Sequence, residues 1–128
     1  MLEYIVRDQL QTDADFLGAG FIFQHGKCAD SFLLAHQLAG HAISLSESLV
    51  STGEFKQISR WLYAATFDRY LVNHRIPQRF GTQYRFDGPA CQYVLEPFDP
   101  KTTNEERMLY EVATFDAAVA LADAAKCP

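Results

Sequence analysis

Apolar residues recur at helical spacing over three long stretches, after which the spacing changes to that of strands. The first stretch carries Leu17, Phe21 and Gln24 on one stripe, with His25 close by. Thr12 followed by Asp13 and Asp15 marks its start, because acidic groups in a first turn oppose the helix dipole. Gly26 is placed to end it, since glycine accepts the left-handed cap conformation. Asp30 or Ser31 caps a second helix that runs to about Leu49, with Leu34, Leu38, Ala42 and Leu45 at helical spacing. After a break at Ser51-Thr52-Gly53, a third helix spans about Glu54 to His74, and Ile58, Trp61, Leu62, Ala65 and Val72 form its expected buried stripe. Pro77 stops this helix and pushes Ile76 out of the helical region.

Beyond Pro77 the period becomes two. Thr82, Tyr84 and Phe86 alternate with Gln83 and Arg85, so Gln83 and Arg85 are expected on one face of a strand. Asp87-Gly88-Pro89 is turn chemistry, and Tyr93-Val94-Leu95 returns as the partner strand. Thr103-Asn104-Glu105-Glu106 matches a T-x-x-E capping box and predicts a fourth helix. The alanine-rich segment from Phe115 to Lys126 predicts further helix after a break near Thr114. The pattern specifies a mainly α fold: one compact domain over residues 1–128, with about four to five helices and one small β-hairpin.

Composition agrees with a folded domain. The chain has 128 residues, 48% of them hydrophobic and 13% aromatic, enough for a core without disulfide staples. The net charge of -5 and the scattered Lys and Arg residues argue against general nucleic-acid binding. No stretch approaches the roughly 20 apolar residues of a membrane span. The segment Met1 to Asp8 carries charges where a signal peptide needs an apolar centre. Cys28, Cys91 and Cys127 are few, odd in number and far apart, which fits a reducing compartment better than a disulfide framework. A cytoplasmic protein is the expectation. Oligomeric state is not encoded in any of these features.

The candidate chemistry centres on residues 68 to 83. Asp68 follows Trp61 by seven residues and Ala65 by three, so it falls on or beside the buried stripe. A carboxylate there needs a partner or several hydrogen-bond donors. Arg69 points about 100° away and addresses a different group. His25 is the best general acid–base candidate, with Asp68 as the partner that orients it. Gln78, Gly81, Thr82 and Gln83 add uncharged donors and acceptors suited to orienting a polar ligand. The same groups equally suit a structural role, with Asp68 pairing the helix to the next segment and the amides satisfying buried backbone. A metal site lacks its pattern: His25-x-x-Cys28 has no second element, and His36 and His41 point about 140° apart on one helix. No cofactor signature is present, since the G-x-G-x-x-G spacing is missing.

Gln24-His25, Asp68-Arg69 and Pro77-Gln78-Arg79-Phe80-Gly81-Thr82-Gln83 resemble the motifs of a bacterial family of unknown function, marked by Q-H, D-R and P-Q-x-[FY]-G-T-Q. The resemblance runs from about residue 14 to 110, with Arg107 matching an Arg in the family's next helix. It implies that these residues belong together, and it implies no reaction.

Two readings follow. In the leading one a pocket binds a small polar or anionic molecule and supports cofactor-independent acid–base chemistry. His25, Asp68 and Arg69 are then the catalytic set, and Gln24, Gln78, Gly81, Thr82, Gln83 and Arg85 bind the ligand. In the rival reading the protein is a non-catalytic interaction module, and the polar cluster is a lock between hairpin and helices.

Overall fold

A computed structural model describes residues 9–48 and 53–125. Its elements are helices α1 (Asp13–Gln24), α2 (Ala29–Ser48) and α3 (Gly53–Asn73), strands β1 (Tyr84–Asp87) and β2 (Gln92–Leu95), and helices α4 (Asn104–Leu109) and α5 (Phe115–Ala124). The chain is thus mainly α, with one two-stranded antiparallel hairpin, as the periodicity predicts. The end expected at Leu49, the break at Ser51 and Thr52, and Cys127 lie outside the described residues.

The start of α1 is set by a reciprocal capping box. Thr12 Oγ1 accepts the Asp15 N–H at 3.1 Å, and Asp15 Oδ2 accepts the Thr12 N–H at 3.0 Å. Its end departs from expectation. His25 is the cap residue, and Gly26 does not take the left-handed conformation. Glycine is required there for space: a Cβ at position 26 would lie 2.5 Å from Ser31 Cβ in the first turn of α2.

Both α1 and α3 pack along α2. Leu17, Ala39, Ala42 and Leu62 form the central cluster, flanked by Phe16, Phe21, Ile58 and Tyr63. Fully buried Ala19, Ala35, Ala39, Ala42 and Ala64 keep the backbones close. Leu62, at 0% exposure, is the largest of the fully buried side chains, and its burial contributes about 2 kcal/mol. Trp61 corrects the expected stripe: it is 39% exposed. Adjacent helical residues diverge by about 100°, so seating Leu62 in the tight α2–α3 contact turns the indole outward.

Both α3 and α4 end in Schellman motifs whose left-handed residue is not glycine. After α3, Arg75 (φ 59°) donates to Val72 O and Ile76 donates to Leu71 O, each at 2.9 Å. After α4, Glu111 (φ 59°) donates to Met108 O at 3.0 Å and Val112 to Arg107 O at 2.9 Å. A second cluster of Ala64, Phe80 and Val112, with Phe67 and Tyr110, fastens the post-α3 segment and α4 to the outer part of α3.

The hairpin register pairs Tyr84 with Leu95 and Phe86 with Tyr93. Helix α5 packs on β2, and Tyr84 Oη donates to Ala118 O at 3.2 Å. Cys91, in the turn at φ 48°, is disulfide-bonded, which corrects the expectation of unpaired thiols at that position. Cys28 is free and exposed. No helix among the described residues is long and apolar enough to cross a membrane.

Candidate functional site

Asp68 is fully buried on α3, as its spacing predicts. Its Oδ1 accepts the backbone N–H of Arg79 at 2.7 Å and of Phe80 at 2.9 Å. Its Oδ2 accepts the N–H of Thr82 at 3.0 Å and the Thr82 hydroxyl at 2.7 Å. Each carboxylate oxygen offers two lone pairs, so these four donors fill the group. Pro77 ends the preceding turn, and residues 79 to 82 wrap the carboxylate so that the N–H groups of Arg79, Phe80 and Thr82 converge on it as a backbone nest. Gly81 makes the bend with φ +85°.

Gln78 is equally buried, and both ends of its amide are hydrogen-bonded. Its Nε2 donates to Gln83 O at 3.0 Å and Glu96 O at 2.9 Å, and its Oε1 accepts the Gln83 N–H at 2.8 Å. Its own backbone donates to Pro97 O at 2.9 Å and accepts from Asp99 N–H at 2.8 Å. Gln83 turns its side chain inward, donating to Ala65 O at 3.3 Å and Thr82 Oγ1 at 3.1 Å. Regular strand begins only at Tyr84, so the expected common face of Gln83 and Arg85 is not formed; Arg85 is exposed.

Arg107, outside both the catalytic and the ligand-binding sets expected from sequence, completes the cluster. It is 3% exposed, its Nε donates to Phe80 O at 3.0 Å, and its Nη1 donates to Thr102 O at 2.8 Å. The rings of Phe98 and Phe115 lie 5.7 and 5.9 Å from its guanidinium carbon. Arg79, on the surface of the same loop, pairs with Glu106 of α4.

The Q-H and D-R motifs meet at a different point. Arg69 Nη1 donates to the Gln24 carbonyl at 2.8 Å, and its guanidinium carbon stands 4.5 Å over the Phe32 ring. This bond caps the end of α1 with a cation, the favourable sign for a helix C-terminus. His25, the next residue, is exposed, and its ring is not among the donors that fill Asp68. The expected His25–Asp68 dyad is therefore not assembled. The hollow beside this segment, about 450 Å³, lies between Val72, Arg75, Ile76, Pro77, Glu96 and Pro97, away from the carboxylate.

Two other groups are shifted by their surroundings. His36 is sandwiched between Tyr63 and Phe67, with ring centroids at 4.0 and 5.0 Å, and its Nδ1 lies 2.8 Å from Tyr63 O. Burial lowers its pKa, partly opposed by that carbonyl. The Cys28 thiol is lowered by the Ser31 hydroxyl 3.3 Å away and by the Ser31 backbone at the start of α2. No group of three His, Cys, Asp or Glu side chains among the described residues is placed to hold a metal ion.

Comparison with protein-family models, curated proteins and solved structures finds no match to this chain.

Proposed function

We propose that this protein is a non-catalytic protein-interaction module whose buried polar cluster is a lock, holding the hairpin against the helices. The observation that carries the reading is the complete occupancy of the Asp68 carboxylate by backbone and hydroxyl groups of the following loop. A catalytic carboxylate needs a lone pair free for a proton or a ligand. Here all four acceptor places of Asp68 are bonded, and breaking one leaves a backbone N–H or the Thr82 hydroxyl without its partner. The acid–base pocket reading, with His25, Asp68 and Arg69 acting on a small anionic molecule, is the weaker proposal because it requires Asp68 to be released first. The family resemblance fits the lock equally well, since its D-R and P-Q-x-[FY]-G-T-Q residues supply the bonded groups. The disulfide at Cys91 favours an oxidising compartment over the cytoplasm read from the sequence.

Asp68→Asn tests the reading. The asparagine amide would turn two donors toward the donors of residues 79 to 82. The lock reading expects a stability loss above about 3 kcal/mol in urea denaturation. A loss below about 1 kcal/mol would sink it, since sites not needed for packing fall in that range.

A further inference from the structure

Among the described residues no strand pairs with the outer edge of β1. Glu96 N–H donates to Gln83 O at 3.1 Å, which makes residues 83 and 96 a hydrogen-bonded pair. Antiparallel pairing alternates, so Arg85 and Asp87 turn their backbone groups toward β2, while Tyr84 and Phe86 turn theirs away from it. Helix α5 makes its sheet contact chiefly on β2. Arg85 and Phe86 are both exposed, Phe86 at 53%.

We propose that a second copy of this chain pairs with the free edge of β1 about a two-fold axis at Phe86, making a continuous four-stranded sheet. Strand parity and charge select this register. In an antiparallel two-fold pair the residue on the axis faces itself. An axis at Arg85 or Asp87 would oppose like charges, and those residues have no outward backbone groups to give. An axis at Tyr84 would set Arg85 against the uncharged Gln83. An axis at Phe86 sets Arg85 opposite Asp87 of the other copy, twice by symmetry, and lets the two Phe86 residues exchange N–H···O=C bonds. Arg85 has no ion pair among the described residues, and Asp87 holds only a long bond, Ala90 N–H to Oδ1 at 3.4 Å.

The apolar face of the edge agrees. Phe86 and Tyr93 are cross-strand neighbours with ring centroids 5.3 Å apart, and Tyr93 is 46% exposed. Both side chains lie on the face toward α5, where Tyr84, Tyr93 and the 61%-exposed Leu121 line an apolar groove. Pairing at Phe86 gathers four of these rings, two from each copy, into one cluster. An isolated two-stranded hairpin is marginal in water, and four strands with a shared apolar face are not. The proposal rests on the lock reading only in taking the hairpin as the presenting surface.

The test uses the full chain carrying Cys28→Ser, so that no disulfide through that thiol imitates the sheet. Sedimentation equilibrium should show a monomer–dimer equilibrium. Arg85→Asp and Asp87→Arg should each weaken it by about tenfold or more, because both symmetric pairs become repulsive. An equimolar mixture of the two variants should restore association, since the mixed dimer regains both attractive pairs. On the unsubstituted edge, the Phe86 amide should exchange slowly at high concentration and quickly after dilution, a readout independent of how the variants fold. A strictly monomeric protein at about 1 mM, the weakest affinity worth calling specific, overturns the proposal. So does a mixture of folded variants that fails to associate, or a Phe86 amide indifferent to concentration. Asp68→Asn distinguishes failure of the lock from failure of the edge, because it is read by stability rather than by mass.

Discussion

Asp68 and Arg107 hold Phe80 from opposite ends: Asp68 Oδ1 accepts its N–H at 2.9 Å, and Arg107 Nε donates to its carbonyl at 3.0 Å. The two buried charges are joined through one residue's backbone dipoles instead of touching. Substituting Arg107→Lys keeps the charge but loses the fork that reaches Phe80 O and Thr102 O together. It should cost about 2–3 kcal/mol in urea denaturation. In a double-mutant cycle with Asp68→Asn, a coupling of at least about 0.5 kcal/mol is expected, because both residues serve the same segment.

Gln78 makes a sharper test of polarity. Gln78→Glu preserves shape but puts a carboxylate oxygen against the carbonyls of Gln83 and Glu96. It should destabilise by more than about 2 kcal/mol at neutral pH. The deficit should shrink as pH falls, since a protonated carboxyl can donate once. A pH-independent deficit would contradict the assigned amide orientation.

Ser59 runs the other way. It is 1% exposed on α3, and its Oγ has no hydrogen-bond partner among the described residues. Ser59→Ala removes a desolvated hydroxyl and should raise stability by about 1 kcal/mol, read as a higher urea midpoint at unchanged m-value.

His36 supplies a pH dependence. Its folded pKa lies below the ordinary value of 6.5 because the site between Tyr63 and Phe67 is buried. The unfolded chain therefore takes up the proton first as pH falls. The His36 contribution is complete above about pH 6.5 and declines as pH drops from there toward the folded pKa. His36→Gln should flatten the stability profile across that window, measured by urea midpoints at successive pH values. An unchanged profile would show that the ring protonates equally well in both states.

Three helix starts and the end of α3 were legible, whereas α1 ends without a left-handed Gly26 and α2 begins at Ala29, ahead of the expected cap at Asp30 or Ser31. Thr12, Thr103 and Thr114 all accept a backbone N–H of the first turn, and Pro77 follows a terminated helix. The burial of Asp68 was also legible, because a position three residues after Ala65 is fixed by helical period. Its partners were not. Three of the four donors are backbone N–H groups, which every residue except proline carries and no residue type announces. The pairing with His25 rests on chemistry alone, and chain direction at the end of α1 leaves that ring at the surface.

Arg107 escaped the periodicity argument for a different reason. Helix α4 is inverted relative to the usual pattern: Met108 and Leu109 are 61% and 59% exposed, while the arginine beside them is buried. With only six residues, Asn104–Leu109 gives no repeat from which a face could be read. Only the resemblance to a family with an Arg in the corresponding helix marked it.

The Gln78 amide accepts the N–H and approaches the carbonyl of Gln83, the two contacts a neighbouring strand makes to a hydrogen-bonded residue. One side chain thus stands in for a third strand at the base of the hairpin. Fraying of the hairpin from that base is then tied to opening of the loop around Asp68 and to the last turns of α3. Hydrogen exchange at the amides of Phe80, Thr82 and Gln83 should accordingly report a single cooperative opening, with one free energy shared by segments that no regular ladder connects.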